Sequence, residues 1–509
     1  MNLRVNLLAI FVLSICSTCA HAQFDTVINF PENPESPNPS GFSGNSIGND
    51  SGIFSNTQLN VSDGGSIGLR FEAGAEDVPS TNVEVNISGG TVGNNFDAFS
   101  GSTITVSGGT VGNGFDAFRG STINVSGGQI GISFLAFDGS TVNVSGGQIG
   151  SSFLAFAGST VNILGGEFGN FFDARGGSTV NISGGTVGNG FNANSDSRVN
   201  ISGGTVENGF EANSGSTVNI LGGTVENDFE ANNGSEVNIS GGTVGINFNS
   251  RSGSTVNILG GTVGDDFDAE NGSTVNISGG TFGSDFDAFP DSTVNISGGT
   301  FGNGFDAGNG STVNITGGTF GRSFDALPDS TVNISGGDFF LNGNVIEDLS
   351  SGFTLSDSDL LTGTLEDGSV FIFSARASDR LNDVNLIATS TPTIDTTPQT
   401  ITTTSALRSL GSGQTLSVQT GGQLLNNFTV VNATLNVDDG SVGNFAEVAR
   451  AQVNISSGTV GTDFDANNGS IVNIWEEALG MASTPTTAAP SISQRAILGH
   501  FSDPIMAAR

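Results

Sequence analysis

The chain of 509 residues has no lysine and no tyrosine. It has two cysteines, two histidines and one tryptophan. Its 13 basic residues are all arginine, against 49 Asp and Glu, for a formal net charge of -36. Each shortage excludes something. A chain this acidic repels nucleic acid and anionic membrane surfaces, and attracts divalent cations or basic partners. No stretch after the first segment approaches the roughly 18 apolar residues of a membrane span. Both cysteines, Cys16 and Cys19, fall in that first segment. Without them an exported chain has no covalent staple, so packing must hold it together. Charged residues are only 12% and hydrophobic residues 35%, too apolar and too regular for a disordered acidic polymer.

Residues 1–22 have the grammar of an export signal. Arg4 supplies the positive end, Leu7 to Ile15 the apolar stretch, and Ala20, His21 and Ala22 a cleavage site before Gln23. Lipidation of Cys16 is the alternative, and the bulk of Ile15 beside it argues against it. The expected location is therefore secreted or at the cell surface.

What is abundant is glycine, at 78 residues, and phenylalanine, at 38. Paired glycines recur every 19 residues from Gly89 to Gly336, fourteen copies with no insertion. The consensus is S-T-V-N-I-S-G-G-T-V-G-N-G-F-D-A-N-N-G. In it V-N-I is a short strand with both β-branched residues on one face, as at Val256 and Ile258. Gly-Gly turns the chain, T-V makes a second strand, and F-D-A makes a third after another turn. Glycine interrupts every window of helical length. One repeat has no core, but stacked coils give inward columns of Val, Ile, Phe and Ala. The fold class expected is all-β: a parallel β-helix, or β-solenoid, with 19-residue coils. At about 4.8 Å per coil the fourteen copies make a rod of roughly 65 Å. Coils of fixed length offer no inserted binding loops.

The S-T-V-N-I-S-G-G and F-D-A strings resemble the parallel β-helix of the pectin-lyase-like superfamily and of bacterial autotransporter passengers. They resemble still more the repeat-rich secreted proteins of planctomycete bacteria. The resemblance covers residues 82–341 well and 427–474 loosely. It implies a bacterial extracellular or cell-surface role, and no activity.

The rest divides by composition. Residues 23–81 form an N-terminal cap with one degenerate coil around Leu59 to Gly65. Residues 82–341 are the main solenoid. Residues 342–388 lose the repeat and form a β-rich interruption, with strands at Phe353 to Leu355 and Val370 to Phe373. Residues 389–415, rich in Thr and Pro, read as a linker. Residues 416–474 are a second solenoid segment, with Val453 to Ile455 and Phe464 to Ala466 as good copies.

Residues 475–509 do not share this composition. They hold the only tryptophan, Trp475, and the only histidine outside the leader, His500. A reading-frame test accounts for them. Joining the third base of each codon to the first two of the next, from Ile474 onward, permits L-G-G-G-F-G-N-G-F-D-A-N-N-G-S-T-V-N-I-S. That is one full repeat and the start of another. The fit ends between Gln494 and Arg495. The expectation is a one-nucleotide frame change near codon 474, with further coils once encoded beyond it; a genuine short C-terminal tail is the alternative. Resequencing that codon decides the matter.

With leader and tail set aside the chain lacks His, Cys, Lys, Tyr, Trp and Met. That excludes Ser-His-Asp and Cys-His nucleophile systems, His or Cys metal sites and a lysine base. Only carboxylates remain for acid–base work. Asp265, Asp266 and Asp268, or Asp285 and Asp287, are the candidates that a carbohydrate-active lyase or hydrolase on this fold would use. They recur with the repeat, whereas an active site should break it.

The residue after the column Phe forms an outward acidic column, filled by Asp or Glu at nine of thirteen places. Its bland reading is a solvated row that keeps the rod soluble and blocks lateral aggregation. Its functional reading is weak Ca²⁺ binding by carboxylates of adjacent coils, at Asp97, Asp116, Asp268, Asp287, Asp306 and Asp325. The mid-strand Asn column is expected to stack as an amide ladder. Thr rows beside it are flat polar surfaces of a kind that binds carbohydrate, though no aromatic platform accompanies them. The function expected is a structural or adhesive protein without a catalytic site or cofactor. Its expected partners are extracellular polysaccharide, cell-surface components or divalent cations, bound multivalently.

Overall fold

The computed structural model describes residues 24–475 apart from short gaps at 33–37, 39–41, 43, 78–79, 271, 350–351, 353, 356–358, 375–380, 383, 390–394 and 468, and adds residues 500–501 and 505–507. The export signal, residue 353 of the expected strand and most of the tail lie outside the described residues.

The described chain is all-β, a parallel β-solenoid. A coil carries three strands, the first two of which fuse into one in some coils, as at Thr122–Ile130. The first is T-V-N-I, as at Thr217–Ile220, with Val218 and Ile220 fully buried and Asn219 between them facing out. The second is Thr224–Val225, with Val225 buried. The third is Glu230–Ala231, preceded by buried Phe229. From Val83 to Ile334 the strands pair in parallel with their copies 19 residues away, so Val218 lies on Val237 and Asn219 on Asn238. Period-2 alternation puts the same residue types in the core of every coil.

The Gly-Gly turn is required by closeness. Gly223 has a φ of +79°, and a Cβ there would lie 2.8 Å from both the carbonyl carbon of Gly203 and the oxygen of Gly204. Only glycine lets one corner settle onto the corner of the coil before it.

The phenylalanine column runs through the whole rod. From Phe191 to Phe248 the rings stack with centroids 4.6–4.8 Å apart. Each ring is fully buried and contributes about 1.5–3 kcal/mol. A further inward column, serine, escapes a pattern search that looks only for apolar residues. Ser121, Ser140 and Ser159 are buried, and each hydroxyl donates 2.6–2.7 Å to a carbonyl three residues back.

The ends of the main stack differ from expectation. The cap holds two coils, since Thr26–Phe30 pairs with Thr57–Val61, which pairs with Val83–Ile87. Their intervals are 31 and 26 residues, and the insertions hide the first coil from a period search. Residues 360–388 do not interrupt the stack but close it. Leu360–Leu365 and Val370–Ser374 form an antiparallel hairpin. Phe373 of the hairpin stacks on Phe324 at 4.2 Å, ending the aromatic column. Val384–Ala388 then adds a last parallel strand, Val384 on Val332.

The second stack begins earlier than its composition implies. Gln399–Ile401 pairs with Leu416–Val418, inside the segment expected to be a linker. Thr and Ile are β-branched and suit a strand as well as a linker. The stack continues through Thr434–Val437, Gln452–Ile455 and Ile471–Ile474. Short strands at His500–Phe501 and Ile505–Ala507 pair with it antiparallel, out of keeping with its parallel order.

The second stack lies against the first. Leu360, Val370 and Ile372 of the hairpin bury Val431 and Ala449. Arg322 of the first stack reaches Asp465 at 3.2 Å and Glu447 at 3.6 Å, all three side chains being nearly buried. The ring of Phe445 lies 5.7 Å from the Arg322 guanidinium. Arg450 in turn covers the ring of Phe340 at 3.5 Å.

Candidate functional surfaces

Three outward features follow from the stacking. The first is the amide ladder. Asn143 donates through Nδ2 to Oδ1 of Asn124 at 2.9 Å, and Asn162 to Asn143 at 2.8 Å. The pattern continues to Asn333, which accepts from Asn385 at 3.0 Å. The ladder expected from the Asn column is present. A shorter run joins Asn86 to Asn60 and Asn60 to Asn29, each at 3.0 Å, and the long run restarts at Asn124 because Thr105 takes the place between them.

The second feature is the acidic column, which the register divides into groups. Glu72 lies on Asp97 and Asp97 on Asp116. Asp268, Asp287, Asp306 and Asp325 form a continuous run. Between them the column holds Leu135, Leu154, Asp173, Asn192, Glu211, Glu230 and Asn249. Asp173 is buried and bound by Arg175. Burial raises four of these carboxyls to about 6: Asp97, Asp116, Asp268 and Asp287. Neighbouring carboxylates add to the rise at three of them: Asp116 at Asp97, Glu270 at Asp268 and Asp268 at Asp287. Desolvation is the larger cause because the coils above and below flank each side chain. Among the described residues, no group of three or more His, Cys, Asp or Glu is placed to hold a metal ion.

Of the five carboxylates weighed for acid–base chemistry, Asp268 and Asp287 stand in the acidic column and the other three have structural work. Asp265 accepts the backbone N–H of Ser284 at 2.7 Å. Asp266 and Asp285 hold left-handed corners, with φ of +59° and +61°. Asx side chains suit both tasks.

The third feature escapes composition and periodicity alike. Outside the core, Phe99, Phe118, Phe137 and Phe156 form a second aromatic stack with centroids 4.7–5.1 Å apart. The strings F-D-A-F and F-L-A-F carry its signal, but a count of column phenylalanines absorbs it.

These features define a parallel β-solenoid whose long faces carry ordered rows of polar and aromatic groups. No family model matches the chain, and comparison with curated proteins finds no match either. Among the described residues no helix is long and apolar enough to cross a membrane.

Proposed function

We propose that the chain is a secreted or cell-surface structural rod that adheres through repeated polar rows and has no catalytic site. The observation that carries this reading is the amide ladder with its flanking Thr rows, which runs from Asn124 to Asn385 at a constant register. A row of identical groups at a spacing of about 4.8 Å binds weakly at each coil and gains by multivalency over many. Extended extracellular polysaccharide, with its own regular repeat, is the partner class such a row suits. Divalent cations are the second partner class, supported by carboxylates paired in adjacent coils.

The competing reading is a carbohydrate-active enzyme on the same fold. The structural tasks of Asp265, Asp266 and Asp285 weigh against it. A glycan array combined with a reducing-end release assay separates the two. Binding without product is the expected outcome, and release of new reducing ends overturns the proposal. Calorimetric titration with calcium tests the cation arm, which falls if millimolar calcium gives neither heat nor a thermal shift.

A further inference from the structure

The external aromatic stack breaks the repeat in four consecutive coils. At its position later coils carry Arg175, Asn194, Asn213 and Asn232. The planes of successive rings lie within 10° of each other, so the faces cover one another and the edges look outward. Phe99 is buried and closes one end of the stack, while Phe118, Phe137 and Phe156 are half-buried. The neighbouring acidic column is interrupted in the same place, by half-buried Leu135 and Leu154. The result is an apolar stripe roughly 15 Å long on a strongly acidic rod. Beside it, in consecutive coils, stand Arg119 and Asp138. Both are exposed, and neither is held by an ion pair among the described residues.

We propose that this stripe docks a second copy of the chain, antiparallel, about a two-fold axis that crosses the rod between the coils of Phe118 and Phe137. Such an axis reverses the order of coils and keeps each column of side chains in place. Phe118 then meets Phe137 of the other copy, and Phe156 lies over the coil that buried Phe99 closes. Arg119 of each copy meets Asp138 of the other, giving two ion pairs. Asp97 and Asp116 meet Leu154 and Leu135 rather than other carboxylates. Glu76, beside Phe99, is brought towards Arg175. Moving the axis by one coil either way sets Arg119 against Ser100 or Gly176. It also brings Asp116 onto Asp97 or Asp173. Charge thus selects one register of this stripe against itself. The stripe is small for an interface, so the affinity is in the micromolar class. Because it lies near one end, the paired rods overlap there and point in opposite directions.

Sedimentation velocity of the full chain from about 1 to about 100 µM, in about 0.15 M salt, tests this. A monomer–dimer equilibrium is expected. The double variant Phe118→Asn with Phe137→Asn places in these coils the residue that Asn194 and Asn213 show to fit, so it keeps the fold and loses the dimer. Arg119→Asp alone, or Asp138→Arg alone, weakens association by about tenfold or more. An equimolar mixture of those two variants recovers it, since each mixed dimer restores both ion pairs. The proposal is overturned by a chain that stays monomeric over the whole range. It is overturned equally by a dimer indifferent to the Phe→Asn changes, by a mixture that shows no recovery, or by a monomeric chain whose stripe binds glycan instead.

Discussion

The two stacks use one coil plan differently. In the first, every coil from Phe71 to Phe324 adds a phenylalanine to a continuous aromatic column. In the second, the same column holds Phe428, Ala446 and Phe464, with Arg408 level with Phe428. The outward column differs too. On the first stack it is a half-buried row, acidic at most places, that no second stack covers over most of its length. On the second the equivalent residues, Thr429, Glu447 and Asp465, are buried against the first stack, and Arg322 sits between the two carboxylates. The first stack therefore stands by repetition. The second stands in part by docking, through the apolar contact of Val431 and Ala449 with the hairpin. A coil position has no fixed role: it is surface or interface according to what lies opposite.

Three experiments bear on this contrast. The largest effect is expected from Phe210→Ala, which opens a cavity between two stacked rings and costs about 3–5 kcal/mol. Phe428→Ala should cost less, because its neighbour in the column is already alanine and the site can collapse. Denaturant unfolding of both variants measures the difference, and equal losses break the comparison. Next comes Arg322→Ala. It leaves Glu447 and Asp465 buried without their cation, which costs about 3 kcal/mol or more. The loss should fall on the second stack, read as faster hydrogen exchange in Thr434–Val437 and Gln452–Ile455 with the Phe191–Phe248 coils unchanged. Uniform loss of protection along the whole chain contradicts docking as the cause.

The third effect is on pH. Asp97, Asp116, Asp268 and Asp287 titrate near 6 in the folded chain, above the ordinary 3.8. A raised carboxyl pKa means that the folded state holds protons the unfolded state has released. Stability therefore falls as pH rises from about 4 to about 6, and the full penalty is present above 6. Half-exposed groups are screened, so each contributes on the order of 1 kcal/mol or less. Acidifying from pH 7 to pH 5 should raise the melting temperature by about 2–5 °C. Asp97→Asn with Asp116→Asn should flatten that response. A melting temperature that falls on acidification over this range contradicts the assignment.

Much of the rod was legible in the sequence because its physics is periodic. Strand period, glycine corners, the inward columns and the amide ladder all repeat at 19 residues, and a repeat states its geometry many times over. Features stated once were harder to see. The first cap coil hides behind insertions of irregular length. The strand Gln399–Ile401 hides in a composition that equally suits a linker. The closing hairpin has no copy elsewhere, so nothing marked Phe373 as the last ring of the column. Arg322 stands where other coils carry Asn303 or Ser284, and only the folded-back second stack shows what it meets. The outer phenylalanines were visible letter by letter, but their separation from the inner column depends on which side of the strand Ala117 and Ala136 turn the chain. The acidic column divides into a run of three ending at Asp116, a run of four from Asp268, and a stretch between them that opens with two leucines, and that division matters more than its total charge.

The amide ladder has one more consequence. Between its ends at Asn124 and Asn385, each of its asparagines donates to the coil before it and accepts from the coil after it. The side-chain dipoles therefore point one way along the rod, and each bond polarises the next. One end of the row presents amide hydrogen and the other presents bare carbonyl oxygen. The rod has an electrical direction as well as a chemical one, and an object lying along this face could tell one end from the other.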